Sequence, residues 1–452
     1  MRLRDRLAGL AAPISEPAVL PEQTATVSTG DVGRSMAAKS PGDFAGDHDQ
    51  RIARLRSLIG EVAARTALPS RVPVHAARGP QLLPSGVSRA TPLGTLHVIE
   101  RWLDKAHCHG RVAVCDALAV DAALVARLAL DAAFEGVDLT RLLIIDTETT
   151  GLAGGSGTVP FLIGLAFFDE GVLKVEQLFL QNLGGEAPLL QHLGQRIAQA
   201  SCIVSYNGKA FDWPLLRTRF ILNRIALPEL GPHLDLLHCC RRLLRARMPS
   251  VRLKDVEQEL LGFYREDDID GAAIPGLYLG YLRGEDPSTL LPVITHNDHD
   301  LVALAAILAR LCAHFADVAP HDDPRDHLAY ARVAFRASDF ERVDRFAEAA
   351  VRGSESTELA VDALSLLAAV ARRRGDSLAA ESAWQRALGA AGTGRAAARV
   401  HLALARLYER QLKDPARAHQ HARFTFEVEG AEAQGRRLGR LRKRMERLAI
   451  SD

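Results

Sequence analysis

The chain has 452 residues, which is enough for about three domains of roughly 150 residues each. Its 56 lysine and arginine residues against 55 aspartate and glutamate residues leave a formal net charge of +1, which excludes a histone-like protein that binds nucleic acid through overall charge but allows a local basic groove. The sequence contains no run of 18 apolar residues, so no membrane span is predicted, and the apolar stretch near the N-terminus is short for a signal peptide. Six cysteines in a chain of this length do not indicate a disulfide framework. We therefore expect a cytoplasmic protein.

The N-terminal part of the chain carries only weak structural signals. Residues 1–48 are rich in Ala, Pro, Ser, Gly and Thr without a sustained period, which predicts a disordered segment. Residues 49–135 are predicted to form a small extension of helical and mixed structure. It has helical spacing over residues 51–64, and a strand-like stretch followed by a helix-like stretch between residues 92 and 140.

An α/β pattern begins near residue 141. Residues 142–145 (LLII) form a short, continuously apolar run, which is typical of a strand buried on both faces. Further strands are predicted over residues 161–168, 175–180 and 202–206, and an amphipathic helix over 186–200. This alternation of strands and helices predicts an α/β layered fold centred on residues 141–315.

The sequence becomes helical and repetitive from about residue 325. Asp339, Asp376 and Asp414 recur at intervals of 37 and 38 residues, and each lies between two helix-like stretches. The pattern resembles tetratricopeptide helix pairs, whose period is about 34 residues, and an unrelated helical bundle is the alternative. Residues 325–452 are therefore predicted to form an all-α helical-repeat domain, whose concave surface would bind a protein partner. Because every carboxylate of the site described next precedes residue 325, we expect that site to be independent of this domain.

Four carboxylates lie in three distant parts of the α/β region. Asp146 and Glu148 are two residues apart at the end of the first strand, so both side chains project to one side of it. Asp212 ends the sequence YNGKAFD after the fourth strand, and Asp300 ends HNDHD at the start of a helix-like stretch. Each of the four taken alone could be an ordinary helix cap or a helix N-terminal charge.

Convergence of these carboxylates would require cations. A close pair of like charges costs about 1 kcal/mol in water and about 4 kcal/mol at an effective dielectric of 20. Hard oxygen ligands of this kind select Mg²⁺ or Mn²⁺. Two such ions roughly 3.5–4 Å apart can activate a water molecule and stabilise the leaving oxygen of a phosphodiester.

The same stretches resemble the motifs of the DEDD superfamily of 3′→5′ exonucleases. DTETTG resembles the first exonuclease motif, YNGKAFD the second and HNDHD the third. The bacterial YprB-type ribonuclease H-like family is a closer match, because the resemblance also includes GGSGTVPFLIGLA, NGKAFDWPLLRTR and HLDLLH. It covers about residues 136–316, with weaker similarity back to about residue 92. It implies a ribonuclease H-like domain over 136–316, with a mixed sheet flanked by helices.

The resemblance also implies roles for individual residues. Asp146, Glu148, Asp212 and Asp300 would be the catalytic metal ligands for two divalent cations, and Asp146 would bridge both. In the His-type branch the general base lies five residues before the last Asp, where this sequence has Thr295. His296 lies four residues before Asp300, where the Tyr-type branch carries Tyr, and shares a helical face with it.

His296 is accordingly predicted to orient or deprotonate the attacking water, because histidine exchanges protons near neutral pH; a hydrogen bond to nearby backbone is the alternative. Thr147, Asn207 and Lys209 are predicted to contact substrate, and Lys209 could equally be a solvated turn residue. Asp235 matches a family position, for which a structural hydrogen-bonding role is as plausible.

These observations predict a metal-dependent nuclease of DNA or RNA, most simply a 3′→5′ exonuclease. A non-catalytic nucleic-acid-binding scaffold on the same fold and a structure-specific endonuclease are the alternatives. A run of basic residues near the motifs could follow a nucleic-acid backbone or form a solvated helix face. The run comprises Arg241, Arg242, Arg245, Arg247, Arg252 and Lys254.

Overall fold

A computed structural model of the protein describes residues 86–151, 157–319 and 322–451. The predicted disordered segment over 1–48 and the predicted helix over 51–64 lie outside the described residues. The glycine-rich loop after the first predicted strand also lies largely outside them, because residues 152–156 are not described.

A seven-stranded mixed sheet forms the centre of the described chain. Its spatial order is β1-β2-β7-β6-β5-β8-β9, and β5 pairs antiparallel with β6 and parallel with β8. A separate hairpin is formed by β3 and β4. The strands are β1 (Val87–Thr91), β2 (Gly94–Leu103), β3 (Cys108–His109), β4 (Val112–Ala113), β5 (Leu142–Thr149), β6 (Pro160–Asp169), β7 (Val172–Phe179), β8 (Cys202–Ser205) and β9 (His233–Asp235).

The strands β1 and β2 belong to the central sheet. The pairing of β2 with β7 runs from His97 opposite Phe179 to Leu103 opposite Leu173. The sequence predicts a small helical and mixed extension over residues 49–135, and within it residues 87–103 lengthen the sheet by two strands. They cover the edge of β7, whose backbone N–H and C=O groups would otherwise be unpaired.

Helices cover both faces of the sheet. Strand β5 is buried on both sides, as its apolar run predicts: Leu142 and Ile144 contact one apolar cluster, and Leu143 and Ile145 contact the other. The helices of this part are α1 (Ala122–Ala129), α2 (Glu186–Gln199), α3 (Asp212–Leu222), α4 (Leu236–Leu244), α5 (Leu253–Val256), α6 (Ile274–Leu282) and α7 (Leu291–Ala316).

Helix α7 is the central helix of the core. Together with the short 3₁₀ turn before it, it spans Pro287–Ala316 and is apolar enough by length and composition to cross a membrane. Of its most apolar window, 67% is buried inside the protein. Its apolar character is therefore accounted for by its packing against β5, β6 and β7.

The C-terminal region is all helical. Its helices are α8 (Pro324–Arg336), α9 (Phe340–Gly353), α10 (Thr357–Arg373), α11 (Ser377–Ala391), α12 (Arg395–Arg410), α13 (Pro415–Ala422) and α14 (Phe426–Ser451). The recurring Asp339, Asp376 and Asp414 are the N-caps of α9, α11 and α13, and each side chain accepts a hydrogen bond from a backbone N–H in the first turn. In each case the preceding residue has a left-handed backbone, with φ between 56° and 78°. The repeat seen in the sequence thus marks tight helix–helix turns.

The helical region shares its core with the sheet domain. The ring of Phe315 on α7 stacks on Tyr330 of α8 and on Phe346 of α9, with centroid distances of 5.7 and 6.2 Å. Arg247, which follows α4, forms a largely buried ion pair with Asp326 of α8 at 2.9 Å. One apolar cluster therefore runs through both parts. The independence of the site from the helical region stays a prediction.

Candidate active site

The carboxyl end of β5 presents two acidic side chains next to helix α7. Asp146 lies opposite Gly164 on β6, and Glu148 lies opposite Leu162. The register shifts between Glu148 and Thr149, so the regular ladder ends just after the second carboxylate. The alternation predicted from the sequence is therefore realised at the end of a rigid, buried strand.

Gly164 lets α7 approach the sheet closely enough to reach Asp146. A Cβ at this position would lie 2.3 Å from Asn297 Oδ1 and 2.8 Å from Leu301 Cδ1, so only glycine fits without displacing the helix. The Asn297 side-chain amide donates a hydrogen bond to Asp146 Oδ2 at 2.7 Å, and its carbonyl oxygen accepts one from Gln177 at 2.9 Å. This buried amide pair fixes the orientation of the Asp146 carboxylate.

A tight turn between β8 and α3 brings Asp212 to the same place. Asn207 has a left-handed backbone with φ 67°, and a Cβ on Gly208 would lie 3.3 Å from Asp212 Oδ2. Buried Asp235 accepts hydrogen bonds from the backbone N–H groups of Asn207 at 2.8 Å and Lys209 at 3.2 Å. It also accepts one from Leu237, and so caps α4. Its contacts are those of a structural residue.

His296 and Asp300 lie one turn apart on α7 and face Glu148. His296 Nε2 is 4.0 Å from Glu148 Oε1 and 3.7 Å from Asp300 Oδ2. One ligand atom from each of these three residues can be chosen so that all lie within 4.8 Å of one another, a spacing that could hold a metal ion. The helical spacing read from the sequence is therefore correct for this pair.

The pKa values of the carboxyl groups reflect burial and mutual repulsion. Burial, followed by the charges of Asp300, Asp212 and Glu148, raises the pKa of Asp146 well above its ordinary value. Burial and the neighbouring carboxylates, Asp300 first, raise the pKa of Glu148 to about 8. Burial likewise raises the pKa of Asp212 and that of Asp300. All four groups therefore interact, and divalent cations would offset the charge that the protein leaves uncompensated. This donor set fits Mg²⁺ or Mn²⁺.

A buried ionic chain that the sequence did not reveal supports Asp300. Arg265, whose side chain is 5% exposed, donates a hydrogen bond to Asp300 Oδ1 at 2.6 Å and another to Glu257 Oε2 at 2.7 Å. Glu257 is fully buried on a π-helical turn, and its other oxygen is 2.5 Å from His109 Nε2. This series of ionic contacts links the β3–β4 hairpin to Asp300, the last acidic residue of the site. No local motif marks it, because its members are distant in sequence.

Asp268 holds the imidazole of His296 from the side opposite the carboxylates. Its Oδ1 lies 2.7 Å from His296 Nδ1. A hydrogen bond from Nδ1–H to this carboxylate leaves Nε2 unprotonated in the neutral ring, facing Glu148 and Asp300. Asp268 is the last residue of a short acidic run, Glu266–Asp268, and its carboxylate contacts His296.

The residues predicted to contact substrate lie around this cluster in different environments. The Thr147 hydroxyl donates a hydrogen bond to Asp212 Oδ1, so it orients a carboxylate. Lys209 is exposed on the turn after β8, and Asn207 is half-buried beside it. His299 packs against His109 and Phe263, away from the carboxylates.

Comparison with known proteins agrees with this architecture. Residues 143–312 match the RNase_H_2 family model, described as RNase_H superfamily. This part of the chain is therefore similar to ribonuclease H superfamily domains. The mixed sheet flanked by helices, followed by a helical region, confirms the fold class predicted from the sequence.

A curated relative extends the similarity beyond the fold. A Bacillus subtilis (strain 168) protein named "Uncharacterized protein YprB" is 38% identical over 200 residues, which make up 44% of this chain. The match spans 48% of the relative, so the chain covers about half the length of the curated protein that it resembles. The name of this relative states no activity.

Proposed function

We propose that the ribonuclease H-like domain is a metal-dependent nuclease, and that it removes nucleotides from 3′ ends of DNA or RNA. The observation that carries the proposal is the convergence of Asp146, Glu148, Asp212 and Asp300 in one half-buried cluster whose pKa values are raised by burial and repulsion. Such a cluster destabilises the folded protein unless cations bind to it. Hydrolysis of phosphodiesters is the chemistry for which this fold and donor set are suited.

The roles of the residues follow from their positions. Two divalent cations, Mg²⁺ or Mn²⁺, would supply the positive charge that stabilises the pentacovalent transition state. His296 would accept a proton from the attacking water at Nε2, and Asp268 would keep Nε2 unprotonated by accepting the hydrogen bond from Nδ1. Arg265 would hold Asp300 in place, while Asn297 would do the same for Asp146.

The remaining expectations are part of the same proposal. All six cysteines are free, which suits the reducing environment of the cytoplasm. We propose that the C-terminal helix pairs resemble tetratricopeptide repeats and offer a surface to a protein partner, since capped helix pairs stacked in this way expose one row of helices. Because these helices share the core of the nuclease domain, partner binding could be linked to the site.

The direct test is a cleavage assay on DNA and RNA oligonucleotides labelled at either end, with Mn²⁺, Mg²⁺ or EDTA. We expect metal-dependent shortening of 5′-labelled strands one nucleotide at a time, which a 3′→5′ exonuclease produces and an endonuclease does not. Asp146→Asn should nearly abolish cleavage, whereas Asp362→Asn, on the helical region, should not. Gel retardation without cleavage would refute the proposed activity and favour the scaffold alternative.

A further inference from the structure

A basic groove lies directly beside the turn that carries Asp212. It has a volume of about 510 Å³ and is lined by Tyr206, Asn207, Arg241, Arg245, Met248 and Arg252, among others. This volume lies within the range of roughly 300–1,000 Å³ found for ligand sites. None of its lining residues is acidic.

The structure separates the five arginines of the basic run into two classes. Arg242 donates hydrogen bonds to the carbonyls of Leu128 and Ala129, and Arg247 is paired with Asp326, so both are structural. The remaining arginines point outward.

The three outward arginines form the cationic wall of the groove. Arg241 and Arg245 are four residues apart at the end of α4 and share a face, and Arg252 lines the same groove from the segment before α5. All three are exposed, and none forms an ion pair within the described part of the chain. Exposed cations that converge without a carboxylate repel one another, and an anion would remove that repulsion.

The groove is fixed to the candidate active site by the second motif. The Tyr206 hydroxyl donates a hydrogen bond to the Val251 carbonyl at 2.5 Å, which connects the segment before α5 to the strand end that precedes Asp212. Asn207, next to Tyr206, lines the groove and starts the tight turn that ends at Asp212. The groove therefore borders the turn that leads to Asp212.

A polyanionic substrate needs such a surface here. The four carboxylates repel phosphate, and cations bound between them would compensate only at the scissile position. Phosphates on either side of that position need positive charge from the protein. Arginine provides it with a planar fork that matches phosphate oxygens.

We propose that the basic groove binds the sugar–phosphate backbone of the substrate strand next to the scissile phosphate, through Arg241, Arg245 and Arg252. The choice of this occupant rests on the proposed nuclease function. Its lining has a single aromatic side chain, Tyr206, whose hydroxyl is already engaged, so the groove lacks a platform on which successive bases would stack. Recognition is therefore through phosphates and is independent of base sequence.

The test measures the salt dependence of binding in the full-length protein. Fluorescence anisotropy titrations use a labelled oligonucleotide at a series of salt concentrations in EDTA, where metal-dependent cleavage cannot interfere. The groove variant carries Ala at Arg241, Arg245 and Arg252. The matched control carries three Ala substitutions that cause the same change of charge on exposed arginines of the helical region, Arg395, Arg410 and Arg423.

We expect the groove variant to bind more weakly, with a slope of log K against log salt that is less steep by about 2 to 3, corresponding to three lost phosphate contacts. The control should keep the slope of the wild type. Single-turnover cleavage in Mn²⁺ should show a higher half-saturating concentration of substrate for the groove variant with a nearly unchanged maximal rate. If the triple variant does not fold, the single Arg245→Glu variant should give the same effect in smaller measure.

The possible failures are distinguishable. An unchanged slope in a folded groove variant, or a loss of slope equal to that of the control, would refute the proposal that the groove binds the substrate backbone. The same holds if the wild type binds neither DNA nor RNA, or if only an acidic peptide competes for the groove. If the slope depends on the groove but the protein cleaves nothing in Mn²⁺, the result would support nucleic-acid binding by the groove and refute the proposed nuclease activity.

Discussion

Replacing Glu148 by Gln should affect stability and activity in opposite directions. The Glu148 side chain is 14% exposed, and burial together with the nearby carboxylates raises its pKa from an ordinary 4.5 to about 8. Because the folded protein binds this proton more tightly than the unfolded chain does, the metal-free protein loses stability as the pH rises from about 4.5 to about 8. At pH 7 the cost is about 3 kcal/mol, which is an upper value because the four groups titrate together.

The Glu148→Gln variant lacks the negative charge of the glutamate side chain but keeps its shape. In EDTA at pH 7 we therefore expect its free energy of unfolding to exceed that of the wild type by up to about 3 kcal/mol, and the difference to vanish near pH 4.5. In Mn²⁺ the order should reverse, because cations that bind the native wild type stabilise it and the variant has lost a ligand. Cleavage by the variant should be nearly abolished.

Urea unfolding followed by tryptophan fluorescence, at several pH values, measures the free energy of unfolding both in EDTA and in Mn²⁺. Trp213 lies next to Asp212 and should report on this part of the protein. Glu229→Gln, at an exposed position, is the matched control and should change neither quantity. A Glu148→Gln variant that is less stable than the wild type in EDTA throughout this pH range would refute the repulsion on which the site assignment rests.

Three further substitutions test the surroundings of the site. His296→Ala should lower the single-turnover cleavage rate by about 10²–10⁴-fold with Mn²⁺ affinity nearly unchanged, and a loss of Mn²⁺ affinity would make this histidine a metal ligand. Asp268→Ala should lower the rate by roughly 10- to 100-fold, but should have no further effect in the His296→Ala background; an additive loss would show that Asp268 acts independently. Arg247→Met should lower the free energy of unfolding in urea by about 3–5 kcal/mol, because it leaves Asp326 buried without its partner. The double variant Arg247→Met/Asp326→Leu should recover most of this free energy, and an undiminished loss in the double variant would contradict the role of the pair.

Local sequence patterns determined those features that depend on neighbouring residues. The apolar run over residues 142–145 predicts a strand buried on both faces, and the two-residue spacing of Asp146 and Glu148 puts both carboxylates on one side of it. The helical spacing of His296 and Asp300 follows from the helical period in the same way. The recurring aspartates mark helix starts because a carboxylate satisfies free N–H groups in the first turn.

Only the tertiary structure decided which distant residues meet. The contact of Arg265 with Asp300 and the hydrogen bond between Asp268 and His296 join residues 35 and 28 positions apart, and no periodicity encodes such pairs. The close approach of α7 at Gly164 likewise depends on the register of β6 against β5, which is set by the packing of both faces at once. The same packing partly buries two arginines of the basic run and leaves three exposed, because burial depends on which helix face the neighbouring elements cover.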